Sequence, residues 1–520
     1  MADKPVVIIG AGPAGLAAGY ELSRRDICPV ILERDSIVGG IARTESYKDF
    51  YFDIGGHRFF TKNEEINRLW EELLGDDFLR VNRLSRIFYQ GKYFNYPLKP
   101  VNALFNLGPF ESLLILFSYC RARLAPSSDE ESFEEWVVNR FGERLYRTFF
   151  KTYTEKVWGI PCSEIRADWA AQRIKGLSLL VAVSNALFGG QQAKSLIEQF
   201  SYPKFGPGMM WDRFMDRIVT AKGEVRLNSE ALAIHHNVGK ITAVEYSNAD
   251  KISQLPIGQC ISSIPITHLI KLFRPQPPEE VIRAADQLSY RAFIIVVLII
   301  GTPRLFPDQW LYVHSPKVKV GRIQNFKNWS RFMVPDQNRT SIGMEYFCNE
   351  SDEMWKMQNH ELVELATREI AELGFGKEAQ VTDSYVVRQS HAYPVYDSEY
   401  KKNLQIIRSY LESFSNLQTI GRSGMHRYNN MDHSMQTGIL AAKNCSGEKH
   451  DLWAINVEKN YLEEDKEIRE IPPVPEKVLV STFARMDKLA FATAMGSVCG
   501  LLVLSATLWI ISRGGDVLNS

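Results

Sequence analysis

The chain has 520 residues, 45% of them hydrophobic, which is enough for two or three packed cores rather than one. Its 61 basic and 61 acidic residues cancel, which argues against a nucleic-acid groove or a strongly anionic partner surface. Seven cysteines are scattered with no CxxC pair and no His/Cys cluster at zinc spacing, so a reduced, metal-free protein is the economical reading.

The first strand starts by residue 5 with no apolar leader before it, so no secretory signal is expected. Val6 to Ile9 form a short apolar run, and Gly10, Gly12 and Gly15 follow at GxGxxG spacing, with Pro13 and Ala14 between the last two. An Ala/Leu-rich helical pattern continues to Arg25, and a second apolar run, Pro29 to Leu32, ends at Glu33. Strand, tight turn, helix, strand and terminal acid together make the dinucleotide fingerprint. Gly10 permits the turn, Gly12 lets the backbone approach a pyrophosphate, Gly15 allows close helix packing, and Glu33 is placed to accept hydrogen bonds from ribose hydroxyls. Arg34 follows that acid directly. Gly39, Gly40, Ile41 and Arg43 then form a second glycine pair with a trailing arginine, suited to close backbone contact and to phosphate oxygens.

Farther on, a polar helix near Glu64 to Leu74 precedes an aromatic alternation around Gly91 that reads as a hairpin. Helical spacing dominates residues 101–200, which are assigned as a helical insert; within it, GLSLLVAVSNALFGG is short of spanning length and suits a packed helix or a membrane-surface contact. Alternating runs return between 224 and 264, and a β-rich stretch occupies 265–395, where the apolar run Ala292 to Ile300 reads as a buried strand. The expected architecture is α/β. A discontinuous Rossmann-like domain takes residues 1–100, 201–264 and 396–447, and residues 265–395 supply an antiparallel β-sheet substrate domain. A charged linker follows over 448–488. From Leu489 to Ile511 no residue is charged, a length sufficient for a transmembrane helix. Lys477, Arg485 and Lys488 before it, against Arg513 alone after it, keep the large domain on the cytoplasmic side of a single-pass anchor. Gly496 and Gly500 within this stretch leave a homodimer open.

The first forty-odd residues resemble the FAD-binding amino terminus of the amine oxidase, protoporphyrinogen oxidase and UDP-galactopyranose mutase superfamily, which makes the Rossmann-like domain one of the GR2 type. FDIGGHRFFTKNEEI, TYTEKVWG, HAYPVYDSEY and GRSGMHRYNNMDHSM are similar to mutase segments and occur in the same order. That resemblance implies FAD as cofactor, with Gly55, Gly56 and His57 beside the flavin ring. It places Trp158 in the substrate cleft and Gly421 and Arg422 near flavin or substrate phosphate. Asp432, His433, Ser434 and Met435 would lie at the ribityl or pyrimidine side, while Tyr393 and Tyr428 match tyrosines that bind the diphosphate of a sugar nucleotide. Two positions depart from the mutase pattern: Gln172 stands where an arginine is expected, with Arg173 one residue beyond, and His426 replaces a tyrosine. The implied catalytic set is His57, Arg422 and Trp158, with Arg173, Tyr393, His426 and Tyr428 on the substrate side.

The resemblance further implies a mutase-like reaction, in which N5 of reduced flavin acts on a nucleotide- or lipid-linked sugar to interconvert pyranose and furanose. The stretch 265–345 looks more like the oxidase branch, which implies the alternative of hydride transfer to flavin. No second GxGxxG follows a strand, so NAD(P)H is expected only as a transient reductant.

Overall fold

Val6–Ile9 and Val30–Leu32 become neighbouring parallel strands at the centre of a five-stranded sheet. Its order is Leu417–Thr419, Gln259–Ser262, Val6–Ile9, Val30–Leu32, Glu224–Arg226, with every pair parallel. A computed structural model describes residues 4–96, 98, 100–126, 130–167, 199–248, 251–375 and 381–456. The run VVII is uninterrupted because both of its faces are covered. Ile8 packs toward Leu16 and Leu22 of the helix Pro13–Ser23, with Met210, Phe214 and Ile439. Val7 and Ile9 face the opposite way, toward Ile234, Val244, Leu269 and Ile407.

That second layer is a four-stranded sheet in the order Lys251–Pro256, Lys240–Asn248, Ser229–Asn237, Phe273–Arg274. Asn416 ties the two sheets together: its amide donates to the carbonyls of Ile241 (2.8 Å) and Gly258 (3.0 Å), and its oxygen accepts from the Ile241 N–H at 2.8 Å. The helices Ile266–Leu272 and Glu279–Gln287 bury Leu269, Ile270, Val281 and Ala284 in the same core. Residues 265–288 therefore belong with the nucleotide-binding side, which corrects the expected boundary at 265.

The β-rich region forms a seven-stranded sheet in the order Val381–Pro394, Tyr290–Ile300, Thr340–Cys348, Arg322–Asn325, Trp310–Val313, Ser85–Tyr89, Lys92–Asn95. Tyr290–Ile300 is its spine. Phe293, Ile295 and Val297 face one core with Trp158 and Tyr393, whereas Ile294, Val296 and Leu298 face Leu362, Ala366 and Ile370 of the helix Asn359–Glu372. Burial on both faces explains an apolar run without alternation. The hairpin around Gly91 forms, but it extends this sheet through Ser85–Phe88 pairing parallel with Trp310–Val313. It thus lies outside the nucleotide-binding domain to which 1–100 were assigned, because Ile87 and Phe88 find their apolar cover in the sheet's two cores.

Between the hairpin and residue 158 the described chain is helical: Pro100–Leu107, Pro109–Leu124, Phe133–Phe141 and Thr152–Trp158. Ser132 starts the third with a reciprocal capping box to Glu135. Arg173 and the whole of GLSLLVAVSNALFGG lie outside the described residues, as do most of the charged linker and the whole stretch Leu489 to Ile511. Among the described residues no helix is long and apolar enough to cross a membrane.

Candidate functional site

The first glycine turn is built as a cradle. Gly10 takes φ +97°, and a Cβ on Gly15 would lie 1.9 Å from the Gly10 carbonyl oxygen, so the helix Pro13–Ser23 starts hard against the turn. Pro13 occupies the first helical turn and no side chain caps that end. The second glycine pair closes over the first: the Gly39 N–H donates to the Ala11 carbonyl at 2.8 Å, and Gly12 and Gly40 face each other with no side chain between them. Glu33 ends the second strand, buried, accepting the N–H groups of Ala11 (2.7 Å) and Asp35 (2.9 Å). Burial raises its carboxyl, and these two amides oppose the shift. Arg43 folds back, its Nε on Glu45 at 2.7 Å and its Nη1 on the Gly40 carbonyl at 3.0 Å, so its fork braces the second turn. Ile41 packs against the main aromatic core. Arg34 is exposed beside Asp35.

The Gly55–His57 loop leaves the strand Phe50–Asp53, whose last residue is wholly buried. Asp53 accepts from Thr44 Oγ1 at 2.9 Å and from the Tyr202 hydroxyl, and burial pushes its carboxyl up to about 7. Gly55, at φ +97°, lies over Phe293 and Arg322, while a Cβ on Gly56 would meet Gln324 Nε2 at 2.9 Å. His57 presents a buried Nδ1 without a hydrogen-bond partner among the described residues; burial, then the charges of Arg422 and Arg322, lower its pKa to about 3, so the ring is neutral. Beneath the loop, Arg322 Nε donates to Glu345 Oε2 at 2.8 Å and Gln324 Nε2 to Glu345 Oε1 at 2.9 Å, with Glu345 wholly buried. Sequence reading missed this trio. A signal existed, since a carboxylate inside the apolar run TSIGMEYF requires a buried partner.

Arg422 joins the two lobes of the site. Its Nε donates to the Asn429 carbonyl at 2.9 Å and its Nη1 to the Ala392 carbonyl at 3.2 Å. Its guanidinium carbon lies 4.4 Å from the centroid of Tyr428 and 5.7 Å from that of Tyr393, whose rings stack at 5.7 Å and 22°. Trp158 meets Tyr393 edge-on at 6.3 Å and stacks on Tyr396 at 6.4 Å, another residue the sequence reading did not single out. Burial pushes the Tyr393 hydroxyl up to about 12, so it stays protonated as a donor. Trp158, Tyr393, Tyr428, Arg422 and His57 thus come together. His426 stands behind them, 1% exposed at φ +45°, its ring edge-on to Tyr290 at 4.7 Å and its Nε2 3.3 Å from the Val395 carbonyl. Burial lowers it to about 4. It supports Tyr290 and Tyr396 rather than lining the aromatic pair.

The carboxy-terminal motif is carried back onto the first helix. A Cβ on Gly438 would lie 2.1 Å from the Ala14 carbonyl oxygen, and one on Gly421, at φ +80°, 2.9 Å from Ala14 Cβ. The helix Met431–Cys445 has no side-chain cap, and at its start Asp432 Oδ1 and His433 Nδ1 face each other at 3.5 Å, both buried and without a hydrogen bond among the described residues. Ser434 is also buried. Met435 faces the core, its sulfur accepting from Trp70 Nε1 at 3.2 Å, so only its backbone is available to a ligand.

An uncapped helix at a glycine cradle, with a buried acid at the second strand's tip and a second uncapped helix crossing the first, defines a dinucleotide-binding protein. The profile of the flavin-containing amine oxidoreductases matches residues 13–446, and the chain belongs to that family. It is 27% identical over 180 residues to a Klebsiella pneumoniae protein described as "Probable UDP-galactopyranose mutase", a match covering 32% of this chain and 44% of that protein. The chain therefore spans less than half the length of that relative. Protoporphyrinogen oxidase 2, chloroplastic/mitochondrial, of Arabidopsis thaliana is 20% identical over 451 residues, 78% of this chain and 87% of the relative. A crystal structure of reduced UDP-galactopyranose mutase shares the fold with a TM-score of 0.74 at 21% identity, covering 86% of this chain and 94% of that one.

The cofactor is FAD, and the residues fit it. A side chain at Gly15 would collide with the turn, the space between Gly12 and Gly40 is open backbone, and Asp432 Oδ1, His433 Nδ1 and His57 Nδ1 each lack a hydrogen bond among the described residues.

Proposed function

We propose that the chain is a UDP-galactopyranose mutase-like flavoenzyme that isomerises an activated sugar, nucleotide- or lipid-linked, between pyranose and furanose forms. The observation that carries this reading is the Arg422 guanidinium fixed over the stacked Tyr393–Tyr428 pair, with its Nη2 making no hydrogen bond among the described residues. A planar cation over two aromatic rings, its orientation fixed by two carbonyls, suits the phosphate of a departing diphosphate. Gly10, Gly12, Gly15 and Gly40 would cradle the pyrophosphate of FAD and Glu33 its ribose. The backbone of 432–435 and the Asp432 carboxylate would hold the ribityl and pyrimidine side.

When bound and reduced, the flavin supplies a nucleophilic nitrogen for the anomeric carbon of the sugar. The chain's own residues do the rest. His57, neutral, would offer Nδ1 as a hydrogen-bond partner to the flavin; the stacked Trp158 and Tyr396 would help keep water from the substrate; the Tyr393 hydroxyl, which stays protonated, would donate a hydrogen bond to a phosphate oxygen. Arg173 would add a second cation from the insert. A bilayer anchor at Leu489 to Ile511, with the enzyme on the cytoplasmic side, belongs to the same reading and would suit a lipid-linked sugar.

A second reading, hydride transfer from substrate to flavin, draws support from the relative that matches across 451 residues, a protoporphyrinogen oxidase. Anaerobic mixing separates the two. Dithionite-reduced enzyme given sugar nucleotides should yield the ring-size isomer by chromatography while the flavin stays reduced. Oxidised enzyme bleached by a substrate, with no isomer formed from any sugar, would overturn the mutase reading.

A further inference from the structure

The helix Pro109–Leu124 is held to the body by one face only. Ile115 and Tyr119 are buried, the Gly142 turn packs against the Tyr119 backbone, and Arg144 grips Glu111 through two hydrogen bonds, at 2.5 and 2.7 Å. The outward face carries Phe110 (74% exposed), Leu113 (52%), Phe117 (70%) and Leu124 (86%), with Cys120 between the last two and Phe105 (84%) at the end of the preceding helix. Steps of three and four residues put these side chains on one stripe. Isolated exposed apolar residues need no explanation, but a continuous run of large ones on a rigid helix does.

Charge narrows the occupant. Near this helix Glu111 is paired with Arg144, Glu143 with Arg147 and Glu130 with Arg140. Arg121 and Arg123, in the last turn of the same helix, make no ion pair among the described residues. An aromatic and aliphatic stripe with unpaired arginines at its end is the pattern of a helix lying in a membrane interface, where rings enter the acyl boundary and guanidinium groups reach lipid phosphates. We infer that this face docks the protein on an anionic bilayer surface through Phe105, Phe110, Leu113, Phe117 and Leu124, with Arg121 and Arg123 at the headgroups. The inference does not depend on the sugar chemistry proposed above, nor on whether Leu489 to Ile511 spans the bilayer.

The full chain supplies its own reporter, because Cys120 is exposed on the stripe and Cys28 is exposed on the nucleotide-binding side. Full-length holoenzyme retaining Cys120, with Cys28, Cys445 and Cys499 changed to Ser, is labelled with an environment-sensitive fluorophore. It is then mixed with vesicles of phosphatidylcholine and phosphatidylglycerol carrying doxyl-labelled lipid. The expected result is quenching at Cys120 of severalfold, little or none for the matching protein labelled at Cys28, and loss of Cys120 quenching with Phe110→Glu plus Phe117→Glu while flavin absorbance is retained. Arg121→Glu plus Arg123→Glu, which leaves the apolar stripe intact, should weaken quenching on anionic vesicles by about tenfold and leave phosphatidylcholine vesicles unaffected. Vesicle-bound protein whose Cys120 label stays open to iodide in water would overturn the inference. So would a label already shielded before lipid is added, which would mean that residues 168–198 or a second copy of the chain covers this face.

Discussion

Arg322 and Glu345 form the buried ion pair on which the Gly55–His57 loop rests, with Nε and Nη2 of the arginine both donating to Oε2 of the glutamate. Burial opposes the arginine's charge, and the neighbouring carboxylate more than offsets that, holding its pKa well above the usual value. Removing one partner strands the other, so Glu345→Gln or Arg322→Met should each destabilise the fold by about 3–5 kcal/mol. The double variant Arg322→Met plus Glu345→Leu should recover a large part of that loss. Chemical denaturation of the three variants checks this; equal destabilisation in single and double variants would refute it.

Asp53 makes stability depend on pH. Its folded pKa of about 7 lies above the ordinary 3.8, so the folded state holds a proton that the unfolded state releases. Its contribution is full below pH 3.8 and lost as pH rises to about 7, a change of about 4 kcal/mol at most. His57 works in the opposite direction over much of the same window: its folded value of about 3 makes its contribution full above 6.5 and lost as pH falls. The signature is therefore a difference: Asp53→Asn should be less stable than the parent near pH 4 relative to near pH 8. Parallel stability curves for the two proteins would show that Asp53 does not titrate in this range.

Gly15→Ala should give a protein that folds poorly or purifies without flavin colour, because its Cβ falls 1.9 Å from the Gly10 carbonyl oxygen. Gly438→Ala should do the same from the other end of the chain, with its Cβ 2.1 Å from the Ala14 carbonyl oxygen. Gly374→Ala tests backbone strain, at φ +83°, without a clash, since among the described residues nothing lies within 4 Å of the added Cβ. It should keep its full flavin absorbance.

Arg422→Met should lower turnover by about 10²–10³, the scale of one lost preorganised donor at a developing charge. Arg422→Lys should restore little, because an ammonium cannot reproduce two fixed carbonyl bonds while covering Tyr428. Single-turnover kinetics alongside the 450-nm-region flavin spectrum separate lost chemistry from lost cofactor. Turnover unchanged in Arg422→Met would remove the basis of the proposed function.

Local patterns were legible where the physics is local. The spacing of Gly10, Gly12 and Gly15 ahead of Glu33 specifies a turn that needs no knowledge of the rest of the chain, and the run Ala292 to Ile300 could only be covered on both faces. Pairings between distant segments were not. Nothing in the hairpin around Gly91 tells that Ser85 will pair with Trp310, and Arg322 gives no sign of Glu345 until the two strands are side by side. Helical spacing also cannot say which side of Met431–Cys445 meets the core, and so the Met435 side chain proves to be a partner of Trp70, leaving its backbone for a ligand. His426, read as a substrate-side residue, is enclosed because its backbone adopts a left-handed conformation that turns the ring toward Tyr290.

The crossing of Pro13–Ser23 with Met431–Cys445 has a consequence for biogenesis. A nascent chain can form its first strand and turn early on the ribosome, but the surface that completes the cradle is made of residues translated more than four hundred codons later. Cofactor capture must wait for nearly the whole polypeptide, and a truncated product would expose Ala14 and its neighbours to quality-control machinery without ever turning yellow.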